Sequence, residues 1–308
     1  MQVLRSAFIG LSHNRLLRSF MEKSRFGVKI SSRFIAGMAI DDALRVAESM
    51  NAQGIAVTLD SLGESVTSEM EAHRAAEVYH RLLDQLAARG LDANVSVKLT
   101  QMGLQIAPAL AETIAGGLVR HAQSVGSFVR IDMEDSSLTQ VTLDIVRRLH
   151  AQRELRGAVG VVIQSYLYRS QADVEQLLAD GIRIRLCKGA YDEPAEVAFP
   201  RKEDVDTNYV RLTAMLLDSP LYHGLATHDE AMILEAKRIA CEHEIDPSRF
   251  EFQMLYGIRR DLQRKLVDEG FNVRVYVPFG TDWYPYFMRR LAERPANVFF
   301  IARNFFRS

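Results

Sequence analysis

The sequence predicts an α/β fold, a (βα)8 barrel of the TIM type with helices in front of it. Three observations carry that expectation. Eight short apolar runs rich in Val and Ile recur at roughly regular intervals along the 308 residues. Each is followed by a stretch whose apolar positions have helical spacing. Six of the runs end in a chemically capable side chain, as expected where parallel strands converge on one face. An open doubly wound sheet uses the same alternation, and the count of eight favours the barrel.

Residues 1–45 read as an N-terminal helical segment, with Leu4, Phe8, Leu11, Leu16, Leu17, Phe20 and Met21 near helical spacing, and residues 46–308 read as the barrel. The run IAVTLD (55–60) leads to a helix over 66–89, and VSVKLT (95–100) to one over 107–124. FVRIDME (128–134) precedes a helix over 137–155, and GVVIQS (160–165) one over 171–180. IRIRLCK (182–188) is followed by 204–218, and LATHD (225–229) by 229–244. FEFQML (250–255) is followed by 258–269, and VRVYVP (273–278) by 283–294. Gly90, Gly126, Gly181 and Gly270 stand where helices stop, since a residue without Cβ takes the left-handed conformation there. Near-continuous apolar runs suit strands covered on both faces. IRIRLCK alternates instead, which sends Arg183 and Arg185 to one face and requires polar partners or a ligand there.

A formal net charge of -1 gives no general attraction to nucleic acid or to an anionic membrane. Two cysteines, Cys187 and Cys241, make neither a zinc pattern nor a disulfide framework, so a reducing cytoplasm is expected. The first twenty residues mix charges into their apolar positions, so no signal peptide is expected. No run of about twenty apolar residues occurs, which argues against a spanning helix. An amphipathic contact with the inner face of the membrane stays open. Eight histidines show no HxH or HExxH spacing, so no metal is expected. Neither glycine-rich phosphate loop is present, which argues against a Rossmann or P-loop domain.

The chemistry therefore has to come from strand ends, where Lys98, Asp132, Gln164, Arg185, Lys188, His228 and Tyr276 lie. Lys98 falls inside an apolar run and needs either a carboxylate such as Asp132 or a ligand. In RIDMED, Asp132 is the candidate, while Glu134 and Asp135 read as ordinary residues of a helix start. LCKGAY sets Lys188 beside Gly189, which suits a phosphate and equally suits a rim lysine before a turn. In ATHD, Asp229 reads as a helix cap and His228 as either structural or part of a site. Arg259 and Arg260 belong on a solvated helix face. Arg289 and Arg290, with Glu293 one turn on to pair with them, diverge by about 100 degrees on a helix. They reach one ligand only if that helix crosses the site, and the ligand would then be a carboxylate.

SVKLTQMG, RIDMED, VIQSYLYR, RIRLCKGAY, ATHD, FQMLYG and above all VRVYVPFGTDWYPYFMRRLAER together resemble the proline dehydrogenase family. The resemblance spans almost the whole barrel, in the family's order. It implies that the last helix lies over the barrel mouth, with Arg289 and Arg290 gripping the carboxylate of L-proline. Lys98 is implied as a third cation and Glu293 as the support of the arginine pair, with Tyr276, Tyr286 and Leu255 walling the pyrrolidine ring. The implied cofactor is FAD, contacted by Gln164, Arg185, Lys188, Gly189, Ala190, Thr227, His228 and the backbone around Met133. Arg185 is implied near the reactive flavin nitrogen, and Asp132 matches a position active in the family, either as a base or as a residue that orients Lys98 and other groups of the mouth. The implied reaction passes a hydride from C5 of proline to flavin N5, giving Δ1-pyrroline-5-carboxylate, and then electrons to a quinone. The length resembles the stand-alone bacterial form, so Δ1-pyrroline-5-carboxylate dehydrogenase is expected as a separate partner. The residues alone also allow a (βα)8 aldolase or lyase that forms a Schiff base through Lys98 or Lys188, or a catalytically silent barrel.

Overall fold

A computed structural model describes Ser24 and residues 31–293, except for the side chains of 289–293. Most of the expected N-terminal segment lies outside the described residues. Eight parallel strands close in sequence order into one barrel: β1 (Ala56–Ser61), β2 (Ala93–Val97), β3 (Val129–Ile131), β4 (Val159–Gln164), β5 (Arg183–Cys187), β6 (His223–Ala226), β7 (Phe250–Leu255) and β8 (Asn272–Phe279). The barrel shuts through β1 and β8, which pair over Ala56↔Arg274 to Ser61↔Phe279.

Helix α1 (Ile40–Asn51) runs across the boundary expected at 45 and buries Ala43, Leu44 and Ala47 in the barrel's own core. It starts where Asp42 accepts hydrogen bonds from the N–H groups of Met38 and Ala39. Between the strands follow α2 (Glu69–Ala88), α3 (Pro108–Ser124), α4 (Thr139–Ala151), α5 (Ser170–Ala179), α6 (Lys202–Asp218), α7 (Glu230–Glu242) and α8 (Arg260–Asp268). Ser68 caps α2 by accepting from Glu71 N, and Pro108 opens α3 where a missing N–H is harmless. The four glycines expected to stop helices all have left-handed φ, between 61° and 85°.

Alternation along the strands divides two environments. Val57, Leu59, Val95, Val97, Val129, Ile131, Val159 and Val161 are fully buried against the helices. The opposite face carries Thr58, Asn94, Ser96, Arg130, Arg185, Glu251, Gln253 and Arg274, all inside the barrel. Arg185 on β5 reaches Ser96 on β2 and Gln253 on β7, which only a path through the interior allows. This polar interior packs because β4 and β6 present glycines to it. A Cβ on Gly160 would run into Arg130 and the Arg183 carbonyl, and one on Gly224 into the Gln253 amide.

β2, β3 and β6 each stop three residues before their apolar runs end. β2 stops at Val97 because the Lys98 carbonyl accepts from Gln101 and Met102, turning the chain, while Leu99 stays buried in the turn. β3 stops at Ile131, so Asp132 and Met133 lie just beyond it. The last helix, α9 (Trp283–Glu293), is fixed by Trp283, Tyr284, Phe287 and Met288, which pack with Phe34, Ile35, Leu62 and Ile258.

Candidate active site

The C-terminal ends of the strands surround a cavity of about 520 Å³. Every expected site residue with a described side chain lines it: Lys98 after β2, Asp132 and Met133 after β3, Gln164 on β4, Arg185, Lys188, Gly189 and Ala190 on and after β5, Thr227 and His228 after β6, Leu255 on β7, Tyr276 on β8 and Tyr286 on α9. The barrel topology alone brings them together. Positions 289 and 290 come one helical turn after Tyr286; the side chains of Arg289, Arg290 and Glu293 lie outside the described residues.

Asp132 is the hub of the cavity floor. Its Oδ1 accepts from Ser96 Oγ at 2.5 Å and from Arg185 Nη1 at 2.9 Å, and its Oδ2 accepts from the Tyr276 hydroxyl at 2.8 Å. Burial, and then Asp132, raise the Tyr276 hydroxyl well above its ordinary pKa, so it serves as a donor. Lys98 Nζ is 3.7 Å from Asp132. The expected pairing of Lys98 with Asp132 is present, and a nearer carboxylate joins it: Asp60, at 3.2 and 3.4 Å from Nζ. Asp60 is 1% exposed and also accepts from the Tyr79 hydroxyl. Burial would depress the Lys98 ammonium, but Asp60 and then Asp132 reverse this and hold it above its ordinary pKa. A lysine fixed as ammonium is not a Schiff-base nucleophile, which needs a free amine.

Under Asp132 the interior continues as a chain of charge-assisted bonds. Arg185 Nε donates to Gln253 Oε1, Gln253 Nε2 donates to Glu251 Oε1, and Arg274 Nε donates to both Glu251 oxygens. Arg185 also lies under the Tyr276 ring, 5.3 Å from its centroid. Burial opposes the charge on Glu251, yet Arg274 beside it holds the carboxyl below its ordinary pKa.

On the β4 to β6 side, Lys188 Nζ bridges Asp206 (2.5 Å) and Asp229 (2.7 Å), and Asp229 also caps α7 through Ala231 N. Gln164 Nε2 donates to the Glu134 carbonyl and its Oε1 accepts from Ala190 N. His228 Nε2 accepts from Leu255 N, which leaves the proton on Nδ1. Burial pushes the Cys187 thiol up to about 12, so it lines the wall as an inert group. Val162, Met133, Ala226 and Met254 give this side apolar walls, with Gln164, Arg185, Thr227 and His228 as polar partners among them. That mixture fits a flat ring system with amide-like edges. Among the described residues, no group of three or more metal-ligating side chains occurs.

The expected helix-start reading of Glu134 is corrected. Its carboxylate is buried and accepts from Thr100 N at 3.0 Å and Thr100 Oγ1 at 2.5 Å, tying the turn after β2 to the end of β3. Asp135 does cap a helical start, a 3-10 turn over Ser136–Leu138. Arg259 opens α8 at φ 49° as the expected start of a charged helix, and pairs with Glu230 and Asp261 at the surface. Sequence reasoning missed Asp60, Ser96, Glu251 and Gln253. Asp60 carried a signal, since it ends its run as Lys98 and Asp132 end theirs.

The family model described as Proline dehydrogenase matches residues 43–303. Proline dehydrogenase 1 of Bacillus subtilis subsp. natto is 41% identical over 302 residues, covering 98% of this chain and 98% of that protein. Proline dehydrogenase of Deinococcus radiodurans is 43% identical over 279 residues, 89% of each. Among solved structures, proline utilization A (PutA) from Bdellovibrio bacteriovorus inactivated by N-propargylglycine superposes with a TM-score of 0.81 at 27% identity. That match covers 85% of this chain and 32% of the PutA chain.

Proposed function

The chain belongs to the proline dehydrogenase family, and from that premise we propose that it oxidises L-proline to Δ1-pyrroline-5-carboxylate with FAD as cofactor and a quinone as electron acceptor. What carries the reading is that residues from β2 through β8 and α9, each on a family motif, line one cavity. When bound, the flavin would supply the two-electron acceptor, taking a hydride from C5 of proline at its N5.

The flavin side is formed by Gln164, Arg185, Lys188, Gly189, Ala190, Thr227, His228 and the backbone near Met133. Arg185 offers positive charge to the ring, and Ala190 leaves room for its close approach. The substrate side is formed by Lys98, Leu255, Tyr276 and Tyr286, with Arg289 and Arg290 from α9 for the carboxylate and Glu293 to hold them. The charges already on the floor balance, Lys98 against Asp60 and Arg185 against Asp132. A substrate carboxylate therefore needs further cations, which is the part proposed for Arg289 and Arg290.

Asp132 orients groups rather than removing a proton. Its oxygens are engaged by Ser96, Arg185 and Tyr276, so proline loses its amine proton to water before it is enclosed. Among the described residues no helix is long and apolar enough to cross a membrane. A quinone acceptor is then met by peripheral contact at the inner face of the membrane, and the product passes to a Δ1-pyrroline-5-carboxylate dehydrogenase.

The test is proline-dependent reduction of a soluble quinone by FAD-loaded protein, with borohydride added during turnover in a parallel sample. The proposal expects quinone reduction and no covalent trapping of substrate. Trapping on Lys98 or Lys188 without quinone reduction would replace it with the Schiff-base chemistry.

A further inference from the structure

The mechanism above uses Arg185 and Asp132 but leaves two buried polar residues on the same chain of bonds without a part. Glu251 and Gln253 are 4% and 5% exposed, and they lie between Arg274 at the base of the barrel and Arg185 at its cavity floor. We infer that Gln253 is a positioning residue for the redox site: its amide, locked one way round by Glu251, holds the Arg185 guanidinium in place against the cofactor. The inference rests on the proposed flavin reading.

An amide side chain carries one acceptor and one donor end of nearly equal shape, so packing alone does not choose between its two orientations. Charge does choose. Glu251 as a carboxylate only accepts, and it draws Gln253 Nε2 to 2.5 Å. The carbonyl end is then left for Arg185 Nε, which only donates, also at 2.5 Å. The opposite orientation would set an NH2 against a guanidinium and a carbonyl against a carboxylate. Arg274 keeps Glu251 ionised for this task by gripping both of its oxygens, at 2.9 and 3.0 Å. Gly224 completes the arrangement, because any Cβ there would run into the Gln253 amide.

The choice of an amide has a functional meaning. A glutamate at 253 would hold Arg185 more tightly, but its charge would cancel the positive charge that Arg185 offers the cavity. A neutral amide orients the guanidinium and leaves its charge in force. Asp132, on the other side, already takes Nη1 at 2.9 Å. A second carboxylate on the same guanidinium would weaken its pull on electron density in the ring.

Three variants loaded with FAD separate this role from simple packing: Gln253→Met, Gln253→Glu, and the exchange Glu251→Gln with Gln253→Glu. The flavin midpoint potential is read without proline, and kcat and KM with it. For Gln253→Met we expect kcat to fall about ten- to a hundredfold, the value of one charge-assisted bond, with KM for proline within about twofold. For Gln253→Glu and for the exchange the midpoint potential should fall, even where the exchange restores the parent's unfolding temperature. Potentials equal to the parent's in every folded variant, with only unfolding temperatures moved, would reduce Gln253 to a packing residue and overturn the inference. If Gln253→Met does not fold, the two glutamate variants decide alone. A parent reduced by proline alongside unshifted variants removes only this inference, whereas a parent that takes up no flavin removes the functional reading and this inference together.

Discussion

Replacing Lys98 by methionine removes the cation next to Asp60, a carboxylate that is 1% exposed and then keeps only neutral hydroxyl donors such as that of Tyr79. Breaking one side of a buried ion pair costs about 3–5 kcal/mol, because the partner stays buried and charged. The cost should depend on pH in a definite direction. Burial already raises the Asp60 carboxyl above its ordinary value of 3.8, with Lys98 pulling it back, and losing Lys98 raises it further. A carboxyl raised in the folded state destabilises at pH above that raised value and ceases to do so as it takes up a proton. The deficit of Lys98→Met should therefore shrink, by about 1.4 kcal/mol per pH unit, as pH falls from the variant's raised Asp60 value to the parent's own raised value, and stay constant below it. Lys98 itself is raised, so in the parent its stabilisation is complete below pH 10.5 and fades only above it. Urea unfolding at neutral and acidic pH measures the deficit, and Asp60→Asn in the same chain isolates the coupling. The double variant should recover all but about 1 kcal/mol of the loss. A double variant no more stable than Lys98→Met, or a deficit independent of pH, would refute Asp60 as the partner that matters.

Three further outcomes test the site and its support. Asp132→Asn keeps the shape but removes the charge that Arg185 and Tyr276 address, so kcat should fall about a hundredfold while kcat/KM keeps its rise with pH; loss of that rise would make Asp132 a base after all. Arg289→Met should raise KM for proline by about a hundredfold with flavin still bound, and an unchanged KM would take Arg289 out of the carboxylate site. His223 is held down at about 3, from 6.5, by burial and by Arg130, so the stability tied to its neutral form is complete above pH 6.5 and drains as pH falls toward 3. His223→Asn, which keeps an acceptor for Ile184 N, should flatten acid unfolding over that range; an identical slope would assign the acid sensitivity elsewhere.

Strand positions were legible because a parallel barrel buries both faces of each strand, and Val- and Ile-rich runs such as VSVKLT or VRVYVP announce that directly. Their ends were less so. Leu99 is apolar and buried, but it lies in a turn held by the Lys98 carbonyl, and composition does not distinguish a buried turn from a strand. Lys98, Asp132, Gln164, Arg185, Lys188, His228 and Tyr276 were legible for a topological reason, since they stand at or near the ends of runs that the fold aims at one mouth, whereas Met133, Ala190, Leu255 and Tyr286 came only from the family resemblance. What lay beneath them was not. Glu251, Gln253 and Arg274 alternate with apolar neighbours as surface-facing residues would, and only closure of β8 on β1 turns that face inward. Partner choice also depended on closure: Asp60 and Lys98 are 38 positions apart and meet because β1 and β2 are neighbours.

The most direct test of the central claim is the visible spectrum of the FAD-reconstituted protein before and after anaerobic addition of L-proline. The account predicts a bound oxidised flavin whose absorption bleaches on proline and returns when a quinone is added. A bound flavin that proline leaves unchanged would contradict the substrate assignment, and a protein that binds no flavin would contradict the account as a whole.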